Sequence, residues 1–461
     1  MQEKEYVNNN VGIEQFGYKQ ELKRALSLRD IVLYGMLFMV IIAPQSIYGE
    51  IQLASGGLTP LVYIVGAVAI SFTALAYKQM SNRFPIAGSV YAYVQRGINP
   101  HFGFIAGWLI LLDYLFIPAL LYSLVAAWGV ALIPQIPWFG WILIFVIFNT
   151  IVNIRGMEMT KGVDWVMFIL EIGILLFFVI VGLKFVLGGG GYGELSIAPF
   201  YQPGKVDADF IASATSIACL SFLGFDGMST LAEETIQPEK TVGKGILIAL
   251  CGIAVVFVLQ TYVAALIQPD WKNIDPATGF FDAAAIAGGE GLRTVLLVIN
   301  ILAVGVANTM AAQTATARML YGMGRDGVIP RVFAKIHPKY QTPYFGTLVV
   351  GVASCLIPLV LTVTQLVRLV NFGALLSFVL LNVAVFIFFF IKEKRRNTLG
   401  DILKFLVCPV CGVAILLFVF SGFENLTYII GFAWLAVGIV IGAIKSKGYK
   451  EVPDAFKNLE V

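Results

Sequence analysis

The sequence predicts an all-α integral membrane protein of twelve transmembrane helices. They form a five-plus-five inverted repeat, with helices 1 and 6 broken, followed by two C-terminal helices. Three observations carry this prediction. The 461 residues are 59% hydrophobic and only 13% charged, too little charge to cover a soluble protein of this size. Apolar runs close to the roughly 20 residues a spanning helix needs recur along nearly the whole chain. Polar and helix-breaking residues interrupt the first and the sixth of those runs at matching places.

The runs fall at about 29–55, 60–82, 101–130, 138–153, 163–187, 208–236, 242–267, 291–322, 344–362, 365–391, 402–421 and 425–444. Ahead of them, residues 1–28 are polar, contain "NNN" and "KQELKR", and read as a cytoplasmic tail with no cleavable signal peptide. Residues 445–461 read as a second cytoplasmic tail. With both termini inside, all 31 Lys and Arg lie on or near the cytoplasmic side except Lys184, Lys205, Lys272, Arg293 and Arg368. That asymmetry follows the positive-inside rule and asks for an even number of spans. The expected location is a cell membrane that the chain crosses many times. Two longer loops, "GGGGYGELSIAPFYQPGKVD" after the fifth run and "QPDWKNIDPATGFFDAAAIAGGE" after the seventh, fall outside.

The first run contains "IIAPQSIYGEIQLASGG" (41–57), with Pro44, Gln45, Gly49 and Glu50 in its middle. The sixth contains "ATSIACLSFLGFDGMSTLAEET" (214–235), interrupted by Ser221, Gly224, Asp226 and Gly227. Runs 1–5 and 6–10 each open with an interrupted member, and five is odd, so the two sets have opposite orientation. Interrupted segments at corresponding places of inverted halves point to a transporter binding site. Unwound backbone at that depth is tolerated only where it lines a cavity or is buried in protein. The competing explanation is a proline kink in one helix and glycine packing in the other. The expected substrate contacts are Ile42, Ala43, Pro44, Gln45 and Ser46 in the first break and Ser221, Phe222, Gly224, Phe225 and Asp226 in the second. Tyr48, Tyr114, Phe222 and Phe225 flank them and can hold an ammonium through their ring faces.

Four acidic residues lie inside apolar runs: Glu50, Asp113, Glu171 and Asp226. A carboxylate at the membrane centre is costly and faces a cavity or a partner. At ~1.5 Å rise per residue, Asp113, Glu171 and Asp226 all come to the middle third of the membrane. An excess of negative charge there suits a proton or a protonated amine. Asp113 can serve the site or merely hydrogen-bond a neighbouring helix, and Asp226 can contact substrate or cap the half-helix it begins. Glu50 faces the outer entrance, and Glu233 and Glu234 read as a gate or a surface pair.

Several classes drop out. No P-loop or dinucleotide fingerprint is present, so transport energy comes from an ion gradient or from exchange. No nucleophile–base set or metal-ligand cluster appears, so the chain reads as a non-enzyme with no cofactor, no metal and no nucleic-acid partner. "CPVC" at Cys408 and Cys411 has no second pair or histidine beside it and reads as small helix residues next to a proline. A channel would need a continuous polar stripe, and the charges here gather at one depth instead.

The chain resembles the amino acid–polyamine–organocation superfamily of transporters over nearly all its length. "FPIAGSVYAYVQRGINPHFGFIAGW" (84–108) is similar to that superfamily's second loop, "GFDGMSTLAEET" (224–235) to its sixth helix, and "TATARMLYGMGRDGVIPRVFAKIHPKYQTPYFG" (314–346) to the loop after helix 8. Within it, "LLDYLF" (111–116), "CLSFLGFDGMSTLAEET" and "VNFGALLSFVLLN" look most like bacterial putrescine importers. The resemblance implies the inverted repeat, alternating access, and uptake of amines or amino acids, commonly driven by protons. Amino acid carriers of the superfamily have a glycine-rich turn in helix 1 for the substrate carboxylate. Ala43-Pro44-Gln45-Ser46 stands there, and Pro44 has no N–H to give. That favours a substrate bearing ammonium groups only. The resemblance also aligns Glu171 with a helix 5 lysine of proton-coupled relatives, which makes Glu171 the expected ion-coupling residue. The resulting expectation is a secondary active importer of a small cationic amine, putrescine or a related polyamine, coupled to protons. Sodium coupling, an amino acid permease and an amino acid/amine exchanger stay open as alternatives, as does the oligomeric state.

Overall fold

The computed structural model describes residues 13–16, 18–204, 218–276, 278–423 and 425–450. Most of both predicted tails' ends and the start of the sixth predicted run lie outside the described residues. Within them the chain is helical, and the one strand-like contact is a parallel bridge between Leu26 and Thr235.

The first span is two helices, α1 (Leu28–Phe38) and α2 (Ala43–Ala54), bent by 45° across a four-residue break. It is followed by α3 (Thr59–Arg83), the short α4 (Ser89–Gly97), α5 (Pro100–Leu132), α6 (Trp138–Arg155) and α7 (Met157–Leu187). After the described part of the sixth run come α8 (Pro238–Ile267), α9 (Gly279–Arg325), α10 (Tyr344–Leu356), α11 (Gln365–Lys392), α12 (Leu399–Ser421) and α13 (Asn425–Lys445). Among the described residues nine helices are long and apolar enough to cross a membrane, and ten when α1 and α2 are taken as one span. The predicted run at 344–362 is the shorter apolar helix Tyr344–Leu359.

One boundary differs from expectation. The predicted loop after the seventh run is helical from Gly279 onward, and bends into the span at Gly289, where φ is +75°. "FFDAAAIA" supplies alanines that favour helix. Phe280 and Phe281 bury their rings there, which holds the segment down on the bundle.

The chain's two ends share a face. Tyr18 meets Asp326, Lys392 Nζ donates to the Ile98 carbonyl, Arg83 pairs with Glu393, and Lys445 Nζ donates to the Val328 carbonyl. We call this the tail face and the opposite one the far face. α3 lies along α8, and α5 along α11. The outer sides of α12 and α13 are apolar and exposed, as lipid-facing helices are.

Candidate functional site

The first break sits four residues earlier than the sequence suggested. α1 ends at Phe38, Val40 takes a left-handed φ of +56°, and Pro44 stands in the first turn of α2. Proline is pre-organised for a first turn, where its missing N–H costs nothing. Pro44 therefore starts a helix rather than interrupting one. Gly49 does not break the helix either. It lets the Asp275–Pro276 backbone approach, where any Cβ would collide.

A break leaves carbonyls without helical partners, and amide side chains take them here. Gln260 Nε2 donates to the Ile41 carbonyl at 3.0 Å, and Asn308 Nδ2 to the Leu37 carbonyl at 2.5 Å. Gln45 Nε2 donates to Gln260 Oε1 at 3.2 Å, and Gln45 Oε1 accepts from Asn300 Nδ2 at 2.8 Å. The first break is thus tied to α8 and α9 by a chain of neutral amides.

The second break turns at Gly224, whose φ is +110°. A side chain there would be strained and would strike the Phe38 backbone at 2.8 Å, so the two breaks touch. Beyond it Phe225–Glu234 is a 3₁₀ turn, wholly buried. Asp226 Oδ2 accepts from Tyr114 Oη at 2.6 Å, and Tyr114 Oη lies 3.1 Å from Ser89 Oγ, which is 3.3 Å from Tyr77 Oη. Asp113, buried on α5, is the residue before Tyr114, so the two carboxyls share one neighbourhood. Asp226 Oδ1 and Asp113 Oδ1 have no hydrogen-bond partner, and among the described residues no Lys or Arg pairs with either. Around this pair stand Tyr77, Phe225 and Phe378, in mutual edge or tilted contact at 5.4–5.8 Å, and Phe38, whose ring is 6.3 Å from that of Tyr114.

A cavity of about 780 Å³ opens at the far face, with Ser46, Glu50, Trp128, Arg293 and Arg368 among its walls. A smaller hollow of about 80 Å³ adjoins its deep end and reaches Met39, Val40, Ala43, Ser221 and Leu223. Of the predicted contacts, Ala43, Ser46 and Ser221 line this space. Ile42, Pro44 and Gln45 are buried behind it, and Phe222 packs between Tyr63 and Phe257. Tyr48 lies apart, its ring 5.8 Å from Phe280. Asp113, Tyr114 and Asp226 sit below the hollow. Asp113 is one helical turn beyond Ile117, which lines it.

The tail side is closed. Glu233 accepts both Arg325 Nη atoms at 2.9 Å and the Ala87 N–H at 2.9 Å. Glu234 pairs with Arg318, both fully buried. The segment before α1 is strapped across them: Gln20 Nε2 donates to the Glu233 carbonyl, and the Ala25 and Leu26 amides to the Glu234 carbonyl. Asp326, outside the spans, has its carboxyl pushed up by burial, while Arg325, Tyr18 and Tyr91 pull it the other way.

Glu171 is fully buried on α7, and neither carboxyl oxygen has a partner. Asn308 of α9 stands beside it, and Asp164 lies two turns away on the same face of α7. Sequence reasoning missed the amides Gln260, Asn300 and Asn308, the hydroxyl of Ser89, the cations Arg318 and Arg325, and Asp164. Apart from Ser89 and Arg325, which lie between runs, their common signal is a polar side chain inside an apolar run.

The family whose sequence profile is described as amino acid permease matches residues 31–452. The low-affinity putrescine importer PlaP of Escherichia coli K12 is 34% identical over 440 residues, covering 93% of this chain and 95% of that protein. The branched-chain amino acid permease BcaP of Bacillus subtilis is 26% identical over 468 residues, covering 94% and 95%. Human cationic amino acid transporter 4 is 26% identical over 418 residues, covering 86% of this chain and 64% of that one. With helices apolar enough to span a membrane many times, a broken first span and this match along its length, the chain belongs to the amino acid permeases of the amino acid–polyamine–organocation superfamily.

Proposed function

We propose that the chain is a secondary active importer of a small cationic amine, putrescine or a related polyamine, working by alternating access and coupled to protons. In this reading the tail face is cytoplasmic, residues 29–187 and 208–391 are the two inverted repeats of a twelve-helix bundle, and the far-face cavity is the outward-facing vestibule. The observation that carries it is the Asp113–Asp226 pair: two buried carboxyls with an open oxygen each, ringed by aromatic faces, with no Lys or Arg among the described residues paired to either. A dry interior holds such charge only against a compensating one, and a diamine brings two ammonium groups. Aromatic faces add attraction for desolvated cations. The substrate named for PlaP accords with this reading. Ala43, Ser46 and Ser221 would meet the ligand on its way, and closure of the vestibule would deliver it to the carboxyls.

A second reading, an amino acid permease or amino acid/amine exchanger, has its own observation. Arg293 and Arg368 stand with Glu50 in the vestibule wall, so a zwitterion meets both signs. The names of BcaP and of cationic amino acid transporter 4 accord with that one. Thermal melting of the purified protein with putrescine, ornithine and branched-chain amino acids separates the two, because a ligand that binds the folded state raises its stability. Putrescine should raise the melting temperature at concentrations where its parent amino acid does not. A larger shift with ornithine or a branched-chain amino acid would move the assignment to the second reading.

A further inference from the structure

Asp113 and Asp226 are not the only buried acids. Asp164 and Glu171 lie seven residues apart on α7, two turns along the same helix face, so about 10 Å separates them. Both are fully buried, and Asp164 Oδ1 and both Glu171 oxygens lack hydrogen-bond partners. Glu171 faces Asn308 of α9, whose amide nitrogen is committed to the Leu37 carbonyl and whose Oδ1 is also unpartnered. Asp164 faces Tyr34 of α1, whose hydroxyl is given to the Ala311 carbonyl. The other charged groups around Tyr34 are Asp226 and the Arg318–Glu234 pair, closed on itself, and the Lys161–Asp30 pair at 2.8 Å lies near the tail face. A small hollow of about 10 Å³, room for about one water, joins Asp30, Lys161, Tyr34 and Asp164.

The geometry points to Asp164 and Glu171 as two stations of one proton path, running from the first break past the Lys161–Asp30 pair to the tail face. This rests on the proposed reading of the chain as an ion-coupled carrier and adds the residue on which coupling turns. A proton is the ion the site fits. A hard metal cation needs a cage of oxygens, and Asn308, which stands beside Glu171, already takes the Leu37 carbonyl of α1. Ten ångströms is too far for direct transfer, so water bridges the two acids. The Glu171 carboxyl gives its proton to that water, the water passes one to the Asp164 carboxylate, and Asp164 releases it to water at the Lys161–Asp30 end. No electrons move and no other reactant is required. Because Glu171 abuts Asn308, which holds the end of α1, the protonation of Glu171 is sensed where the first break would hinge.

The test uses full-length protein in proteoliposomes with a pH-sensitive dye inside. Two readouts are compared: uphill accumulation driven by a pH gradient, and exchange of labelled for unlabelled substrate without a gradient. For Asp164→Asn, accumulation and proton flux should fall about tenfold or more, as for a blocked proton relay, while exchange stays within about twofold. Glu171→Gln should behave likewise, and Asp164→Glu, which keeps the acid, should retain coupling. The infrared carbonyl band of a protonated carboxyl should weaken in Glu171→Gln without any substrate present. Unchanged coupling in Asp164→Asn, loss of exchange together with accumulation, or an unaltered protein that moves no proton with its substrate would each overturn the path. Putrescine exchange by the unaltered protein tests the substrate reading separately. If only an amino acid exchanges, coupling is measured with that, and the path stands or falls on the same comparison.

Discussion

The break between α1 and α2 and the break at Gly224 lie against each other, yet they treat their polar groups differently. The first gives its loose carbonyls at Leu37 and Ile41 to Asn308 and Gln260, neutral amides reaching in from α9 and α8. The second keeps a carboxyl, Asp226, with one oxygen open and a second carboxyl, Asp113, beside it. Neutral amides fix geometry and leave no charge to be answered. Open buried carboxyls leave a charge that something else must answer. The two breaks are alike in position, and in the proposed reading they divide the work between them: the first is a joint, and the second carries the recognition of a cation.

The sharpest way to break this comparison is to loosen what holds the second break in place. The half-helix after Gly224 ends in Glu234, paired with Arg318 in a fully buried site. Removing one member of such a pair leaves the other charged and alone, at a cost of about 3–5 kcal/mol. Glu234→Gln should therefore lower stability by that order in denaturant melts in detergent. A loss below about 1 kcal/mol, the scale of an exposed pair, would mean water reaches Arg318 and the tail side is open.

Next comes the charge itself. Asp226→Asn and Asp113→Asn should each weaken putrescine binding about 100-fold, which is about 2.7 kcal/mol, and weaken a zwitterion much less. Titration calorimetry on the purified variants reads both. Equal losses for diamine and zwitterion would make Asp113 a packing residue, as its place beside Tyr114 allows.

The first break should answer in the opposite sense. Gln260→Leu removes the donor to Ile41 and the acceptor of Gln45, leaving buried groups unsatisfied at about 1–3 kcal/mol. The protein should melt earlier, while putrescine affinity in those who fold stays within about twofold, a change of under ~0.5 kcal/mol. A tenfold loss of affinity at unchanged stability would place the substrate on the amide chain and end the division of roles.

These contrasts also mark what the sequence could tell. Gly224 and Asp226 stood out because a glycine and a charge inside an apolar run have few structural excuses. Glu50, Asp113 and Glu171 stood out for the same reason. Gln260, Asn300 and Asn308 did not: one neutral amide in a long apolar helix carries no mark of the carbonyl it will cap from another span. The partners of Glu234 and Glu233 lie 84 and 92 residues further on, a distance that only the folded bundle closes. Asp164 was passed over because it stands near the start of its run, where a carboxylate normally meets water. Tyr48 was drawn toward the site by proximity in sequence, but its direction from α2 takes it to Phe280 instead.

The smallest effect concerns the residue that first suggested a break. If Pro44 interrupted the helix, replacing it would let α1 and α2 join and the 45° bend relax. Pro44 instead occupies the first turn of α2, after Val40 has already left helical geometry. What holds the bend is the left-handed Val40, the capped Leu37 and Ile41 carbonyls, and the contact of Phe38 with Gly224, none of which needs a proline. Pro44→Ala should then cost no more than the stiffness a proline lends by restricting the unfolded chain, about 0.4–1 kcal/mol. Transport should continue at close to its normal rate. Distances between spin labels placed on α1 and α2 should be unchanged in the variant. A straightened first span would return the break to Pro44 and leave the amide chain as its consequence rather than its cause.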